Sequence, residues 1–187
     1  MFGTESVLVH DRFLDAADVE ELALCARLRR ERGEFVPARI GGASSVRRDE
    51  RIRGDLSCWL TEPKEPAEER LLGRLEELRL QLNREHFLGL FDLEMHYAWY
   101  PPGAGYSRHI DTPLGSDARR VSVIAYLNRQ WGKDDGGELK LLLADGTRTI
   151  RPEGGRLVAF LSAGLEHEVL ACRRERLSLT GWFRVRA

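Results

Sequence analysis

From about Leu93 onward the chain consists of short stretches rich in β-branched and aromatic residues. "LEMHYAWY", "YSRHID", "RVSVIAYLN", "ELKLLLA", "TRTIRP", "RLVAFL", "HEVLAC" and "RLSLTGWFRV" follow in close succession, separated by turn signals such as "DDGG", "ADGT" and "PEGG". Many short strands at this spacing indicate a sandwich or barrel. The first half reads differently. "DAADVEELALCARLRRERG" opens on Asp15 as an N-cap and stops at Gly33, with Val19, Leu22, Cys25, Ala26 and Leu28 marking an apolar face. A second helix begins near Pro66, where Leu71, Leu75, Leu78 and Leu82 form the stripe and the Glu/Arg-rich remainder a solvated face. Between the helices lies "ARIGGASSVRRDERIRGDLSCWL", a basic, Gly/Ser-rich loop flanked by strand-like pieces. Loops of that length are mobile or functional. The expected architecture is α+β: helices packed against one β-sandwich, in a single domain.

Charge and cysteines narrow the function classes. A formal net charge of −1 and a pI near 6.5 lack the basic excess of a nucleic-acid binder. Cys25, Cys58 and Cys172 are odd in number, far apart and without a CxxC spacing, which fits a reducing compartment and three small buried hydrophobes. The N-terminal "MFGTESVLVHD" shows no basic and apolar targeting regions, and runs such as "VSVIAYL" are too short to span a bilayer. The expectation is a cytoplasmic protein with neither a membrane nor a nucleic-acid partner.

"YSRHIDTP" holds the chemistry. In an extended segment, residues i and i+2 share a face, so His109 and Asp111 point into one space. By itself H-x-D is weak evidence, and a hydrogen-bonded histidine beside an exposed aspartate is the simpler account. His10, His86 and His96 lie before the first helix, at the end of the second, and at the start of a strand shared with Ala98 and Tyr100. His167 stands at a strand start near a sheet edge. Two histidines and one carboxylate with open positions make the facial triad of non-heme Fe(II) oxygenases. Nine residues past His167, Arg176 opens "RLSLTGWF", where alternation sets Arg176, Ser178, Thr180 and Trp182 on one face. An arginine on such a face calls for an anion in its pocket, and guanidinium is well shaped for a carboxylate. A surface pair with Glu175 is the rival account of Arg176 taken alone.

H-x-D, the distal His, and Arg176 followed by Thr-x-Trp together resemble the 2-oxoglutarate/Fe(II)-dependent dioxygenases. "RIRGDLSCWL", "EPKEP", "YPPGAGYSRHIDTP", "VSVIAYLN", a Trp and "GGELKL" then occur in the order seen in prolyl hydroxylases of the hypoxia-inducible-factor type and their bacterial relatives. The resemblance runs from about Ile52 to Phe183. It implies a double-stranded β-helix (jelly-roll) core over about 91–187, with helical support over about 1–90, as one domain spanning 1–187. It implies Fe(II) on His109, Asp111 and His167, with no catalytic residue beyond these ligands. Arg176 and Tyr126 would hold the distal carboxylate of 2-oxoglutarate, and Tyr100, Leu139 and Thr180 would line that pocket. Trp182 and Arg119 would face the substrate. Arg53 and Asp55 would be closure elements at the end of the "GGASSVRRDER" loop.

The implied activity is prolyl 4-hydroxylation with O₂ and 2-oxoglutarate as cosubstrates and ascorbate as a reductant. The implied partner is a protein or peptide carrying the target proline. The chain stops four residues past Phe183, so the expected substrate is a bacterial one, such as a translation elongation factor, in place of the animal transcription factor. Rival readings on the same scaffold are a hydroxylase of a free amino acid or small molecule and a non-catalytic iron/2-oxoglutarate sensor. A nucleic-acid demethylase would carry a second arginine where Trp182 stands, and a halogenase a small residue in place of Asp111. A zinc hydrolase has no use for Arg176.

Overall fold

The structure is a computed structural model describing residues 7–39, 49, 51–112 and 118–186. In chain order its elements are β1 (Val7–His10), α1 (Ala16–Glu31), β2 (Val36–Pro37), β3 (Leu56–Trp59), α2 (Pro66–His86), β4 (Leu90–Tyr100) and β5 (Tyr106–His109). They continue as β6 (Arg119–Tyr126), β7 (Leu139–Leu143), β8 (Gly146–Ile150), β9 (Leu157–Leu161), β10 (His167–Val169) and β11 (Arg176–Val185). Seven strands form one sheet in the order β1-β9-β6-β11-β4-β3-β2, and four form a second in the order β5-β10-β7-β8. All named pairings are antiparallel. Helices on one side of a two-sheet jelly roll match the expected α+β class. Among the described residues, no helix is long and apolar enough to cross a membrane.

Both helices begin where local chemistry sets them. Asp15 is extended, and its side chain accepts from the Asp18 amide at 2.8 Å, satisfying a donor that the first turn leaves open. Pro66 occupies the first turn of α2, where its missing N–H is no loss. The leucine stripe 71, 75, 78 and 82 is buried, as are Val19, Leu22, Cys25 and Ala26. Together they form a core between the helices and the outer face of the large sheet. A second core fills the space between the two sheets, around Tyr126, Leu139 and Phe160. It is this inner core that opens into the site.

The structure departs from the sequence reading in three places. Strands β1, β2 and β3 lie within the part read as helical support and extend the large sheet at both edges. β1 is only four residues long and gains its partner, β9, from the far end of the chain. His96 lies in the middle of β4, because that strand starts at Leu90. The charged remainder of α2 is not uniformly solvated either: Glu68 is fully buried.

Arg29 reaches Glu68 from α1 with two hydrogen bonds of 2.8 Å, and the carboxylate also accepts from the Lys64 amide at 2.7 Å and the Tyr97 hydroxyl at 2.9 Å. This network ties α1, α2 and β4 together. Burial opposes the charge on Glu68, yet its bonds to Arg29, Lys64 and Tyr97 outweigh that and hold its carboxyl below the ordinary range. A carboxyl lowered by folding stabilises the fold above its ordinary range, and that contribution is lost as pH falls through the folded value. Removing Arg29 strands a buried charge. Arg29→Met is therefore expected to lose about 3–5 kcal/mol at neutral pH, and less as acid protonates Glu68. Urea denaturation at several pH values checks this, and an unchanged midpoint at neutral pH would contradict it.

Candidate active site

The inner faces of the two sheets enclose a cavity of about 990 Å³, and His109, Asp111, His167 and Arg176 all line it. Antiparallel pairing brings the two histidines together, since His167 in β10 lies directly opposite His109 in β5. Their rings sit 4.2 Å apart by centroids. Each turns Nδ1 to a backbone carbonyl two residues back, His109 to Ser107 O at 2.8 Å and His167 to Leu165 O at 3.1 Å. A neutral ring donating at Nδ1 presents Nε2 with its lone pair free, the tautomer a metal ligand needs.

Strand geometry alone does not deliver Asp111. β5 ends at His109, and Asp111 follows in a bend after the exposed Ile110. A hydrogen bond from outside the segment aims it: Ser122 in β6 donates to Asp111 Oδ2 at 2.6 Å and contacts Ser162 Oγ at 2.9 Å. Asp111 Oδ1 then lies 3.5 Å from His109 Nε2, and Oδ2 lies 3.6 Å from His167 Nε2. One donor atom from each of the three residues falls within 4.8 Å of the others. Burial works against ionisation of Asp111, but hydrogen bonding to His109 and His167 holds its carboxyl well below the usual range. Burial likewise opposes charge on His167, and Asp111 overrides it to raise the imidazole. Two imidazoles and one ionised carboxylate on one side of a cavity are a donor set for Fe(II) with open positions.

Arg176 lies at the other end of the same wall. It is 1% exposed, which excludes the surface pair with Glu175; Glu175 pairs with Arg30 instead. Its Nε donates to Gly137 O at 2.9 Å and its Nη1 to Ser178 Oγ at 3.3 Å. The rings of Tyr100 and Tyr126 flank it at 4.9 and 5.2 Å. Among the described residues no carboxylate opposes it, and the Tyr126 hydroxyl beside it has no hydrogen-bond partner. A buried cation without a counter-charge is expensive. With a free phenol next to it, the pocket has the charge and the donors for a carboxylate ligand. Gly137 permits the close packing: its φ is +70°, and a Cβ there would come within 3.0 Å of Arg176 Cδ.

The register of β11 orders the wall. Arg176 pairs with Tyr100, Ser178 with Ala98 and Tyr126, Thr180 with His96 and Ile124, and Trp182 with Glu94 and Ser122. Tyr100, Leu139 and Thr180 line the cavity, while Tyr126 is fully buried beside Arg176. Trp182, Arg119 and Arg53 line it at the other end. The Arg119 guanidinium stacks 3.6 Å over Trp182 and pairs with Glu94 at 2.7 Å. Asp55 is buried and does not itself line the cavity; it holds Arg53 through bonds of 2.7 and 3.0 Å. Arg53 in turn covers Tyr106, whose ring stacks on His109 at 3.5 Å. Of the "GGASSVRRDER" loop only Asp49 and Arg51 belong to the described residues. Ser122, His96 and Trp59 are site residues that the sequence reading passed over. Alternation with Tyr126 and with Tyr100 was the signal available for the first two.

Comparison with known proteins agrees with this geometry. Residues 95–184 match the family described as the 2OG-Fe(II) oxygenase superfamily. The chain is 30% identical to human Egl nine homolog 1 over 189 aligned positions, covering 95% of this chain but 43% of that relative, less than half its length. A prolyl-4-hydroxylase of Pseudomonas putida superposes with a TM-score of 0.91 at 43% identity, over 100% of this chain and 96% of that one. A Trichoplax adhaerens prolyl hydroxylase gives 0.89 at 29% identity, over 98% and 85%.

The orienting role of Ser122 is open to direct measurement. Mn(II) titration calorimetry is expected to show one metal per chain, abolished in Asp111→Ala and weakened about ten- to a hundredfold in Ser122→Ala. Wild-type affinity in Ser122→Ala would mean that its hydroxyl does not orient the carboxylate.

Proposed function

Because the chain belongs to the 2OG-Fe(II) oxygenase superfamily, we propose that it is a 2-oxoglutarate-dependent prolyl 4-hydroxylase acting on a proline in a peptide or protein. The whole chain acts as one catalytic domain. The observation that carries the reading is the pairing, in one cavity, of the His109–Asp111–His167 donor set with a buried arginine that no carboxylate opposes among the described residues. A metal hydrolase would need the first feature and not the second.

In this reading His109 Nε2, Asp111 and His167 Nε2 hold Fe(II). Arg176 grips the distal carboxylate of 2-oxoglutarate, and the Tyr126 hydroxyl donates to it. Tyr100 and Leu139 form apolar walls that keep water from the bound acid. Iron, 2-oxoglutarate and O₂ supply the oxidising chemistry, with succinate and CO₂ as co-products. The protein's share is to fix the ligands, exclude water and present one ring of the substrate to the open side of the metal.

Trp182, with Arg119 laid over it, makes a flat wall at that side. Arg53, clamped by Asp55, makes the opposite rim. A wall and rim of this extent exceed a single amino acid and favour a peptide. The Trichoplax prolyl hydroxylase was solved with a hypoxia-inducible-factor peptide, which supports the same substrate class here. An elongation factor remains our candidate for the protein that carries the proline, and the cytoplasm its setting.

Two outcomes test the reading. With Fe(II), 2-oxoglutarate and O₂, the protein is expected to add one oxygen to proline-containing peptides, seen by mass spectrometry, with succinate formed in step. Free proline oxidised faster than any peptide would contradict it. Arg176→Ala removes a charge-assisted bidentate contact of about 1.5–3 kcal/mol, so the KM for 2-oxoglutarate should rise about ten- to a hundredfold. Tyr126→Phe deletes one neutral donor and should cost less. An unchanged KM in Arg176→Ala would remove the arginine from the cosubstrate site.

A further inference from the structure

His96 belongs to none of the roles assigned above. It is 2% exposed, lines the cavity from the middle of β4, and lies opposite Thr180 on one side and Trp59 on the other. Its ring packs against two indoles, 5.6 Å from Trp182 and 4.9 Å from Trp59 by centroids, and the indoles lie 6.3 Å from each other. Neither Nδ1 nor Nε2 has a hydrogen-bond partner among the described residues. Burial, and then the charges of Arg53 and Arg119, push the imidazole down to about 3, so the ring is neutral, with one N–H donor and one acceptor.

A methionine or leucine would fill the space beside the two indoles without leaving polar atoms unpaired. Buried polar groups in folded proteins are paired, so a partner arrives with whatever occupies the cavity. The register of β11 says which occupant. The cosubstrate end is at the Arg176–Tyr100 pair, and His96 lies four residues further along, at the Thr180 pair and next to Trp182. That is the substrate end. Proline has no amide N–H, so a peptide offers carbonyl acceptors around the target residue, and a neutral imidazole answers with its N–H.

We propose that His96 is a specificity-determining residue whose ring N–H donates to a backbone carbonyl of the substrate beside the target proline. This rests on the prolyl-peptide reading above. It makes the Trp59–His96–Trp182 layer a polar slot within an aromatic wall, selecting a peptide backbone over a free amino acid.

The test compares wild type, His96→Met and His96→Gln in peptide hydroxylation, together with calorimetric binding of the same peptide to the Mn(II)- and 2-oxoglutarate-loaded protein without O₂. His96→Met keeps the apolar volume and loses the donor. Its peptide KM and Kd are expected to rise about three- to twelvefold, the net worth of one hydrogen bond, while the KM for 2-oxoglutarate moves less than about twofold. His96→Gln keeps a side-chain N–H and should recover part of the loss, which a purely structural role would not produce. His96→Leu serves as the apolar variant if methionine prevents folding. An active wild type with an unchanged peptide KM in the apolar variant overturns this inference and leaves the prolyl reading standing. A glutamine variant no better than the apolar one overturns it too. A wild type that hydroxylates no prolyl peptide overturns both.

Discussion

A guanidinium buried to 1% exposure, with no carboxylate opposite it among the described residues, is the constraint on which the rest of the site depends. Taking such a charge out of water costs several kcal/mol, and the carbonyl of Gly137 and the hydroxyl of Ser178 return only part of that. The strand that carries Arg176 is therefore held firmly. β11 is paired along most of its length by β4 on one side and β6 on the other, and a slip of one residue would turn every side chain to the opposite face. Such a slip would drive Leu177, Leu179 and Phe183 out of the helix-facing core and Arg176 into it. The outer core thus sets the position of the anion pocket without touching it.

The two sheets divide the chemistry. The large sheet supplies the anion end and the aromatic wall, and the small sheet supplies both histidines. Asp111 sits on the connection between them, and the Ser122 hydroxyl of the large sheet steers it toward imidazoles held by the small one. A second link runs through Asp55, Arg53, Tyr106 and His109 as a column of clamp, cation and stacked rings. Backbone bonds reinforce it, from Ser107 N to Ile52 O at 2.8 Å and from Gly54 N to Gly105 O at 3.0 Å. A contact at Arg53 on the cavity rim therefore reaches a candidate metal ligand, His109, through the Tyr106 ring.

Much of this was legible in the sequence because period and spacing record it. The leucines of α2 recur at helical spacing, Asp15 precedes an apolar run, and alternation from Arg176 to Trp182 survives intact in β11. The His-x-Asp pair, the distal His167 and Arg176 carry their chemistry in residue type. What was not legible depends on partners distant in the chain. Glu68 looked like a surface acid because Arg29 is 39 positions away. Ser122 is an ordinary strand serine until Asp111 is brought against it. β1 is four residues that mean little without β9. In sequence His96 reads only as a member of a strand, since nothing there shows that both its nitrogens lack partners among the described residues. Arg53 and Asp55 read alike in sequence as closure elements, and only the fold shows that Asp55 is the buried clamp and Arg53 the residue it holds.

The central claim is that a metal held by His109, Asp111 and His167 and a 2-oxo acid held by Arg176 act together in one cavity, coupling O₂ to two products. Isotopically labelled O₂ tests it most directly. After turnover with a proline-containing peptide, the account predicts one labelled oxygen in succinate and one in the hydroxylated peptide, in equal amounts. Labelled succinate with no labelled peptide, or product oxygen drawn from water, would contradict it.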